Sequence, residues 1–204
     1  MVIHTGLQSG VGHASVGKFY VNTTVKDVNH DDLFAYLNSK HDAFVGPEVG
    51  GWSCYTDMEV TQDPGTIALH VGRLSEHFQA IAICVLNHDD DILSIDTFHN
   101  GRQVSEYKSC PGYFDANPSE ERLKPRLSGA EVLAGLKPGV SETQIREILA
   151  IQAEQNASAI ETHEAIVHLL GLPDYLVGFG YDYAAAGEFP TNGALMGRTV
   201  FTGA

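Results

Sequence analysis

The stretch from residue 79 to residue 107, QAIAICVLNHDDDILSIDTFHNGRQVSEY, decides the predicted fold because three strand-like runs follow one another in it. These runs are Gln79 to Leu86, Ile92 to His99 and Arg102 to Tyr107. Asn100-Gly101 separates the last two runs and is a strong signal for a two-residue hairpin turn, because both residue types tolerate positive φ. A turn at Asp89-Asp90 joins the first two, so the stretch predicts a three-stranded antiparallel meander over about 79–108.

The lengths of the two turns predict which residues share a face of this meander. If both turns contain two residues, Cys84 lies opposite Ile95, and Ile95 lies opposite Glu106. One predicted face carries Ala82, Cys84, Leu86, Leu93, Ile95 and Val104, and the other carries Ile81, Ile83, Val85, Asp96, Phe98 and Tyr107. The first run is apolar on both faces, which predicts a central strand that is covered on both sides.

Residues on either side of the meander complete an α+β fold class. Val16 to Val25 and Gly50 to Met58 are rich in β-branched and aromatic residues and predict further strands. Asn29 and Asp63-Pro64 have the pattern of helix starts. Beyond residue 127, three capping-box pairs predict helices: Ser128 with Glu131, Ser141 with Gln144, and Ser158 with Glu161. We therefore expect a sheet portion over 1–127 with flanking helices, and a helical portion over 128–204 packed on it as a single domain.

Charge constrains the class of partner. The chain has 12 Lys and Arg residues against 26 Asp and Glu residues, which gives a net charge of −14. Nucleic acids and anionic membrane surfaces are disfavoured, because both attract a basic protein face. This charge is typical of a highly soluble protein or of one with a basic protein partner. The sequence has no signal peptide or membrane-length apolar run, and its three cysteines are widely spaced, so we expect free thiols and a cytoplasmic location.

Two groups of residues are candidates for metal binding. His88 and the three aspartates after it form the densest cluster, in which Asp89 and Asp91 could bind a hard cation such as Ca²⁺. A solvated turn is the alternative, since Asp tolerates turn geometry and calcium needs six or more oxygen ligands. His70 and His77 share a helical face but lie about 10 Å apart along the axis, too far for one zinc ion. We expect these two histidines to flank a stripe of core residues.

Three further residues are candidates for a binding pocket. Asp96 is placed between Ile83 and Ser105, so we expect a hydrogen bond with Ser105 and a raised pKa for this half-buried carboxyl group. Cys54 is a candidate nucleophile if a histidine or a helix N-terminus lowers its pKa, and a buried small hydrophobe otherwise. Tyr107 follows on the third strand of the meander and completes the predicted pocket.

The aromatic, glycine-rich tail from Tyr175 to Phe189 is the best candidate for a recognition surface. Its tyrosines, notably Tyr181 and Tyr183, combine a large contact area with a polar tip, as interface residues often do. The alternative is a tail that folds back to cover the sheet, because aromatic side chains tend to be buried.

Two classes of function remain open. The first is a non-enzymatic protein-binding or regulatory domain, such as an immunity-type inhibitor of a basic partner. The second is a small hydrolase-like enzyme, or a protein that binds a small molecule or a metal in a pocket near Asp96, Tyr107 and Cys54. An enzyme should gather titratable groups with shifted pKa values in one pocket, whereas a binding module should expose an aromatic patch rimmed by acids. The sequence indicates no cofactor, catalytic residue or oligomeric state.

Overall fold

One antiparallel sheet organises the fold. The computed structural model describes residues 18–38, 40–60, 62–155, 157–189 and 197–199, and these contain eight strands and six helices. The strands are β1 (Tyr20–Lys26), β2 (Ala43–Val45), β3 (Trp52–Asp57), β4 (Ile81–His88), β5 (Ile92–His99), β6 (Arg102–Lys108), β7 (Arg126–Ser128) and β8 (Gly197–Thr199). The helices are α1 (His30–Asn38), α2 (Pro64–Phe78), α3 (Ala130–Ala134), α4 (Glu142–Gln155), α5 (Ala159–Leu170) and α6 (Tyr181–Ala185). The expected α+β class with an antiparallel sheet is confirmed.

The strands follow the order β7-β6-β5-β4-β1-β3-β2-β8 across the sheet. Every neighbouring pair is antiparallel. The C-terminal portion contributes β8, which pairs with β2 at one edge, so it supplies a strand as well as the expected helices. Within the described residues, no helix combines the length and the apolar character that a bilayer span requires.

The register from β4 to β6 differs from the prediction for two separate reasons. Cys84 lies opposite Asp96, and Ile95 lies opposite Tyr107. The loop after β4 has three residues instead of two, and its Asp89 and Asp90 take φ values of 56° and 57°. A β-bulge then shifts β6 against β5 by one residue between Thr97 and Phe98. Asp96 and Phe98 consequently share a face with Cys84, while Leu93 and Ile95 share a face with Ile83, which corrects the predicted assignment of β5.

Each face of the sheet carries its own hydrophobic core. On one face, side chains of α1 and α2, such as Leu33 and Val71, pack with Val25, Tyr55 and Cys84 of the sheet. On the other face, α3 to α6 and the segment between α5 and α6 pack against a second set of strand residues, which includes Tyr20, Cys54, Ile83 and Tyr107. β4 lies inside the sheet and contributes to both cores, as expected from its apolar residues on both faces.

Two of the three predicted capping boxes are present. Ser158 and Glu161 cap α5 reciprocally, and Ser141 and Gln144 bond in the same way before α4. The third prediction is wrong, because Ser128 belongs to β7 and α3 begins after Gly129. Gly129 has φ of 68°, a conformation that glycine adopts at little cost, and it turns the chain from the sheet edge directly into α3.

Candidate functional site

A pocket of about 610 Å³ lies on the α2 side of the sheet. Its walls are the first turn of α2, the adjoining ends of β4, β5 and β6, and the loop that leads from β6 to β7. The apolar part of its lining consists of Pro64, Ile67, Leu86, Ile92, Pro111, Phe114 and Pro125. The other end of α2 packs beside the hairpin turn at Gly101, and only the first turn of the helix borders the pocket.

Basic side chains are concentrated at this pocket. Four of the 12 Lys and Arg residues line it, against one of the 26 Asp and Glu residues. The four are Lys108, Arg122, Lys124 and Arg126, and the acid is Glu121. Three of them pair with carboxylates: Lys108 with Asp96, Arg122 with Asp115, and Arg126 with Glu106. Lys124 makes no ion pair within the part of the chain that the structure describes.

Asp96 and Lys108 form a polar network on the pocket face. The Nζ of Lys108 donates to Oδ2 of Asp96 at 2.7 Å and to Oγ of Ser94 at 2.6 Å. The other carboxylate oxygen of Asp96 accepts from Nε2 of Gln103 at 2.7 Å. Burial raises the pKa of Asp96, and the positive charge of Lys108 opposes that effect. Asp96 is therefore a buried acid as expected, but its partners differ from the prediction, because Ser105 instead donates to the carbonyl of Ser128.

Cys54 and Tyr107 lie across the sheet from Asp96. Cys54 is fully buried, and its thiol donates to the hydroxyl of Tyr175 at 2.6 Å, which in turn donates to the carbonyl of Pro47. Burial raises the pKa of this thiol, so it stays protonated and is a poor nucleophile. The hydroxyl of Tyr107 donates to the carbonyl of Leu149 at 2.9 Å, and burial raises its pKa to about 12. Asp96, Tyr107 and Cys54 therefore do not meet in one pocket.

The aromatic tail folds over the sheet. Tyr175 and Phe179 are buried, and Tyr181 and Tyr183 are partly buried against the same core. The side-chain amide of Asn22 in β1 donates to the carbonyls of Leu176 and Phe179, which ties the tail to the sheet. The tail therefore covers part of the sheet, which is the alternative that the sequence analysis gave, while Tyr181 and Tyr183 remain partly exposed.

No protein-family model, curated protein or solved structure matches this chain.

Asp89 and Asp91 lie on an exposed three-residue turn. Asp90, the residue between them, holds the turn in place through its side chain, which accepts from Nδ2 of Asn87 at 2.7 Å. In the described part of the chain, the one group of three or more His, Cys, Asp or Glu side chains with metal-binding spacing lies elsewhere. The turn therefore gathers no third ligand for a cation from those residues.

That group consists of His41, Asp57 and His70. His41 precedes β2, Asp57 ends β3, and His70 lies in the middle of α2. Burial lowers the pKa of His70, and so does the neighbouring His41. His77, which the sequence places too far from His70 to share a zinc ion with it, packs against Tyr36 and Phe78.

The surface also carries an exposed aromatic patch, which is formed by Phe19, His88, Tyr113 and Phe114. The ring of His88 lies 4.8 Å from that of Phe19 and 4.9 Å from that of Phe114, measured between centroids. Phe114 exposes 64% of its surface, and Phe19 and Tyr113 about 40% each. The aspartate turn follows His88 directly in the chain. The patch joins three distant segments, and the only sequence signal for it was Tyr113-Phe114 in a Pro- and Gly-containing loop.

Proposed function

We propose that this protein binds a small molecule with an apolar body and an anionic group in the pocket beside α2. The observation that carries the proposal is the concentration of four of the 12 basic residues around one apolar pocket in a chain of net charge −14. Ligand pockets are typically apolar, with a few convergent polar groups, and occupy about 300–1,000 Å³. At about 610 Å³ this pocket lies within that range.

The arrangement suits recognition of a negative charge. Lys108 is held in one position by Asp96 and Ser94, so it loses little conformational entropy when a ligand arrives. Lys124, at the exposed rim, makes no ion pair within the described residues and is available to an incoming carboxylate, sulfonate or phosphate. The carboxyl group of Asp96 is engaged on both oxygens, which suits holding Lys108 in place better than transferring a proton.

A fluorescent anionic probe tests this proposal. 1-Anilinonaphthalene-8-sulfonate combines aromatic rings with a sulfonate, and its fluorescence rises when it enters an apolar pocket. We expect Lys124→Glu to raise the Kd of this probe about tenfold at low salt, with a smaller effect at high salt, because an exposed charge is screened. Arg102→Glu is the matched control, since Arg102 is an exposed cation that does not line the pocket. Equal effects of the two substitutions, or no effect of either, would refute the proposal.

A second candidate function is the binding of a basic protein partner at the aromatic patch. The exposure of Phe114 and the three aspartates beside His88 favour it, since an exposed aromatic patch rimmed by acids is typical of a protein-binding surface. The overall charge of −14 complements a basic partner.

Variants of the patch and of the pocket separate the two functions. Phe19 and Tyr113 belong to the patch and do not line the pocket, whereas Lys124 lines the pocket and is not part of the patch. Native mass spectrometry of protein recovered gently from its source cells would detect a bound protein or a bound small mass. A basic protein lost from the Phe19→Ala/Tyr113→Ala variant but kept by Lys124→Glu would favour the second function. A small mass with the opposite pattern would favour the first.

A further inference from the structure

Three side chains from separate segments converge beside the core that α1 and α2 form with the sheet. Nδ1 of His41 lies 2.6 Å from Oδ2 of Asp57, and the rings of His41 and His70 are 5.2 Å apart between centroids. One potential ligand atom from each of the three residues lies within 4.8 Å of those of the other two. The side chains of His41 and Asp57 are 12% and 1% exposed, and His70 is partly exposed at the surface of α2.

The backbone holds each of the three residues in place. The amide of His41 donates to the carbonyl of Leu37 at 2.7 Å, and its carbonyl accepts from the hydroxyl of Thr199 at 2.9 Å. Asp57 pairs with Ala43 in the sheet, two residues after His41, so the ends of β2 and β3 bring the two side chains together. His70 projects from α2, which begins with Asp63 as its N-cap and spans 15 residues.

The side chain of Asp57 is buried with few hydrogen bonds. Oδ1 accepts from the amide of Glu59 at 2.8 Å. Oδ2 of Asp57 and Nδ1 of His41 are buried and find no hydrogen-bond partner among the described residues, although they lie 2.6 Å apart. A buried carboxylate normally requires an ion pair, several hydrogen bonds or a metal ion. Two imidazoles and a carboxylate that face one another are the donor set of many zinc and non-haem iron sites.

We propose that His41, Asp57 and His70 bind a divalent transition-metal ion of the zinc class. Bonds of about 2.1 Å in tetrahedral geometry put donor atoms about 3.4 Å apart. The atoms of His41 and Asp57 that lie 2.6 Å apart would therefore separate by less than about 1 Å, and any donor pair up to 4.8 Å apart would approach by a similar small movement. Two of its three ligands are nitrogen, which favours zinc, cobalt or nickel over calcium or magnesium, since those two prefer oxygen. Three protein ligands leave a coordination position open for water or for an exogenous ligand.

Metal titration of the whole protein tests this proposal. Protein freed of metal with a chelator would be titrated with Zn²⁺ by calorimetry, and with Co²⁺ by visible absorption, which reports directly on nitrogen and oxygen ligation. We expect one ion per chain, and a Tm that rises with Zn²⁺ because the metal binds only the folded cluster. His70→Gln should raise the Kd about a hundredfold or more.

His77→Gln is the matched control, because it makes the same substitution on the same helix outside the cluster. His70 is partly exposed, so His70→Gln should keep the circular dichroism spectrum of the wild type, whereas Asp57→Asn disturbs a buried group. A wild-type protein that binds neither Zn²⁺ nor Co²⁺ would overturn the proposal. Unchanged stoichiometric binding by His70→Gln would overturn it as well. Loss of binding in His70→Gln with retention in His77→Gln is the supporting result.

Discussion

The two faces of the sheet differ in the kind of polar group they bury. On the face covered by α3 to α6 the buried groups are neutral: Tyr20 bonds with His163 at 2.8 Å, and Cys54 donates to Tyr175. The face covered by α1 and α2 also buries charged groups that pair with one another, as Asp96 does with Lys108. The contrast is clearest at two successive residues of β6. Tyr107 enters the face covered by α3 to α6, and Lys108 enters the face that carries the pocket.

The difference follows from the pocket, which leaves one corner of the sheet open on the face of α1 and α2. α3, α5 and α6 contact strands from β6 across to β2, so charged groups on that face would lose their contact with water. On the opposite face, α2 contacts β4, β5 and β6, and α1 contacts β2 and β8, which leaves the pocket uncovered at one corner. Charges persist where water or a counter-charge can reach them. Binding of ions and ligands is therefore expected on the face that carries the pocket.

The largest expected effect concerns His163. If the face covered by α3 to α6 could take up a charge at this residue, the contrast between the two faces would not hold. Burial lowers the pKa of His163 from 6.5 to about 3. Between these pH values the unfolded chain binds a proton that the native chain does not. The contribution of neutral His163 to the free energy of unfolding is therefore complete above pH 6.5 and is lost as the pH falls towards 3. The loss is about 1.4 kcal/mol per pH unit and about 5 kcal/mol across the window.

His163→Asn tests this effect, because Asn keeps an acceptor near the hydroxyl of Tyr20 but does not titrate. Urea unfolding at a series of acidic pH values should show a shallower loss of stability in the variant, by the slope of one proton. His99→Asn, at an exposed position, controls for the removal of one histidine. If His163→Asn retains the wild-type slope, the buried histidine is not the source of the acid sensitivity.

The next effect concerns Gly129, where the chain passes from the pocket side of the sheet to the covered side. A Cβ at this position would lie 2.3 Å from the carbonyl oxygen of Val104, the extra residue of the bulge in β6. We expect Gly129→Ala to lower the free energy of unfolding by about 3 kcal/mol, through backbone strain and a clash that only a backbone shift relieves.

Gly139→Ala separates the strain from the clash. Gly139 also has positive φ, but nothing lies within 4 Å of a Cβ built there. This control should cost only about 1 kcal/mol, the penalty of the left-handed conformation itself. Equal costs for the two substitutions in urea unfolding would mean that the contact between the bulge and Gly129 does not constrain the crossing between faces.

The fold class was predictable because it depends on local signals. Apolar residues on both faces of β4 indicate a central strand, and Asn100-Gly101 indicates the hairpin whatever the rest of the chain does. Register was not predictable to the same degree, because one additional loop residue, Asp91, and one bulge at Val104 each shift it by a whole residue. Asp96 therefore lies on the opposite face from the one predicted, although its strand was located correctly.

The candidate sites were predictable only one residue at a time. Lys108, Lys124 and Phe114 lie in or beside a loop that the sequence marks only by its prolines and glycine. In the folded chain this loop and the first turn of α2 line the same pocket. His41 and Asp57 meet through the pairing of β2 with β3, and His70 reaches them from a helix. No spacing within a single element encodes such a cluster, because its members become neighbours only in the tertiary structure.

The smallest expected effects concern Lys108 and Tyr107. These two residues test the contrast between the faces most directly, because they are adjacent in β6 and enter opposite faces. Lys108→Met removes the cation from Asp96, whose side chain is 6% exposed, and should cost about 2 kcal/mol at neutral pH, less than a fully buried pair because Lys108 is 20% exposed. Burial already raises the pKa of Asp96, and without Lys108 it should rise further. The native variant then binds a proton more readily than its unfolded chain, so the cost should shrink as the pH falls.

Tyr107→Phe removes one neutral hydrogen bond to the carbonyl of Leu149 and should cost about 1 kcal/mol, equally at neutral and mildly acidic pH. The double variant Lys108→Met/Asp96→Asn should recover most of the loss caused by Lys108→Met, since no buried charge is left without its partner. Urea unfolding of the four proteins at two pH values measures all of these quantities. If the losses of unfolding free energy in Lys108→Met and Tyr107→Phe depend on pH in the same way, the two faces do not differ in the charge of their buried groups. The contrast would then fail at the two residues where it should be clearest.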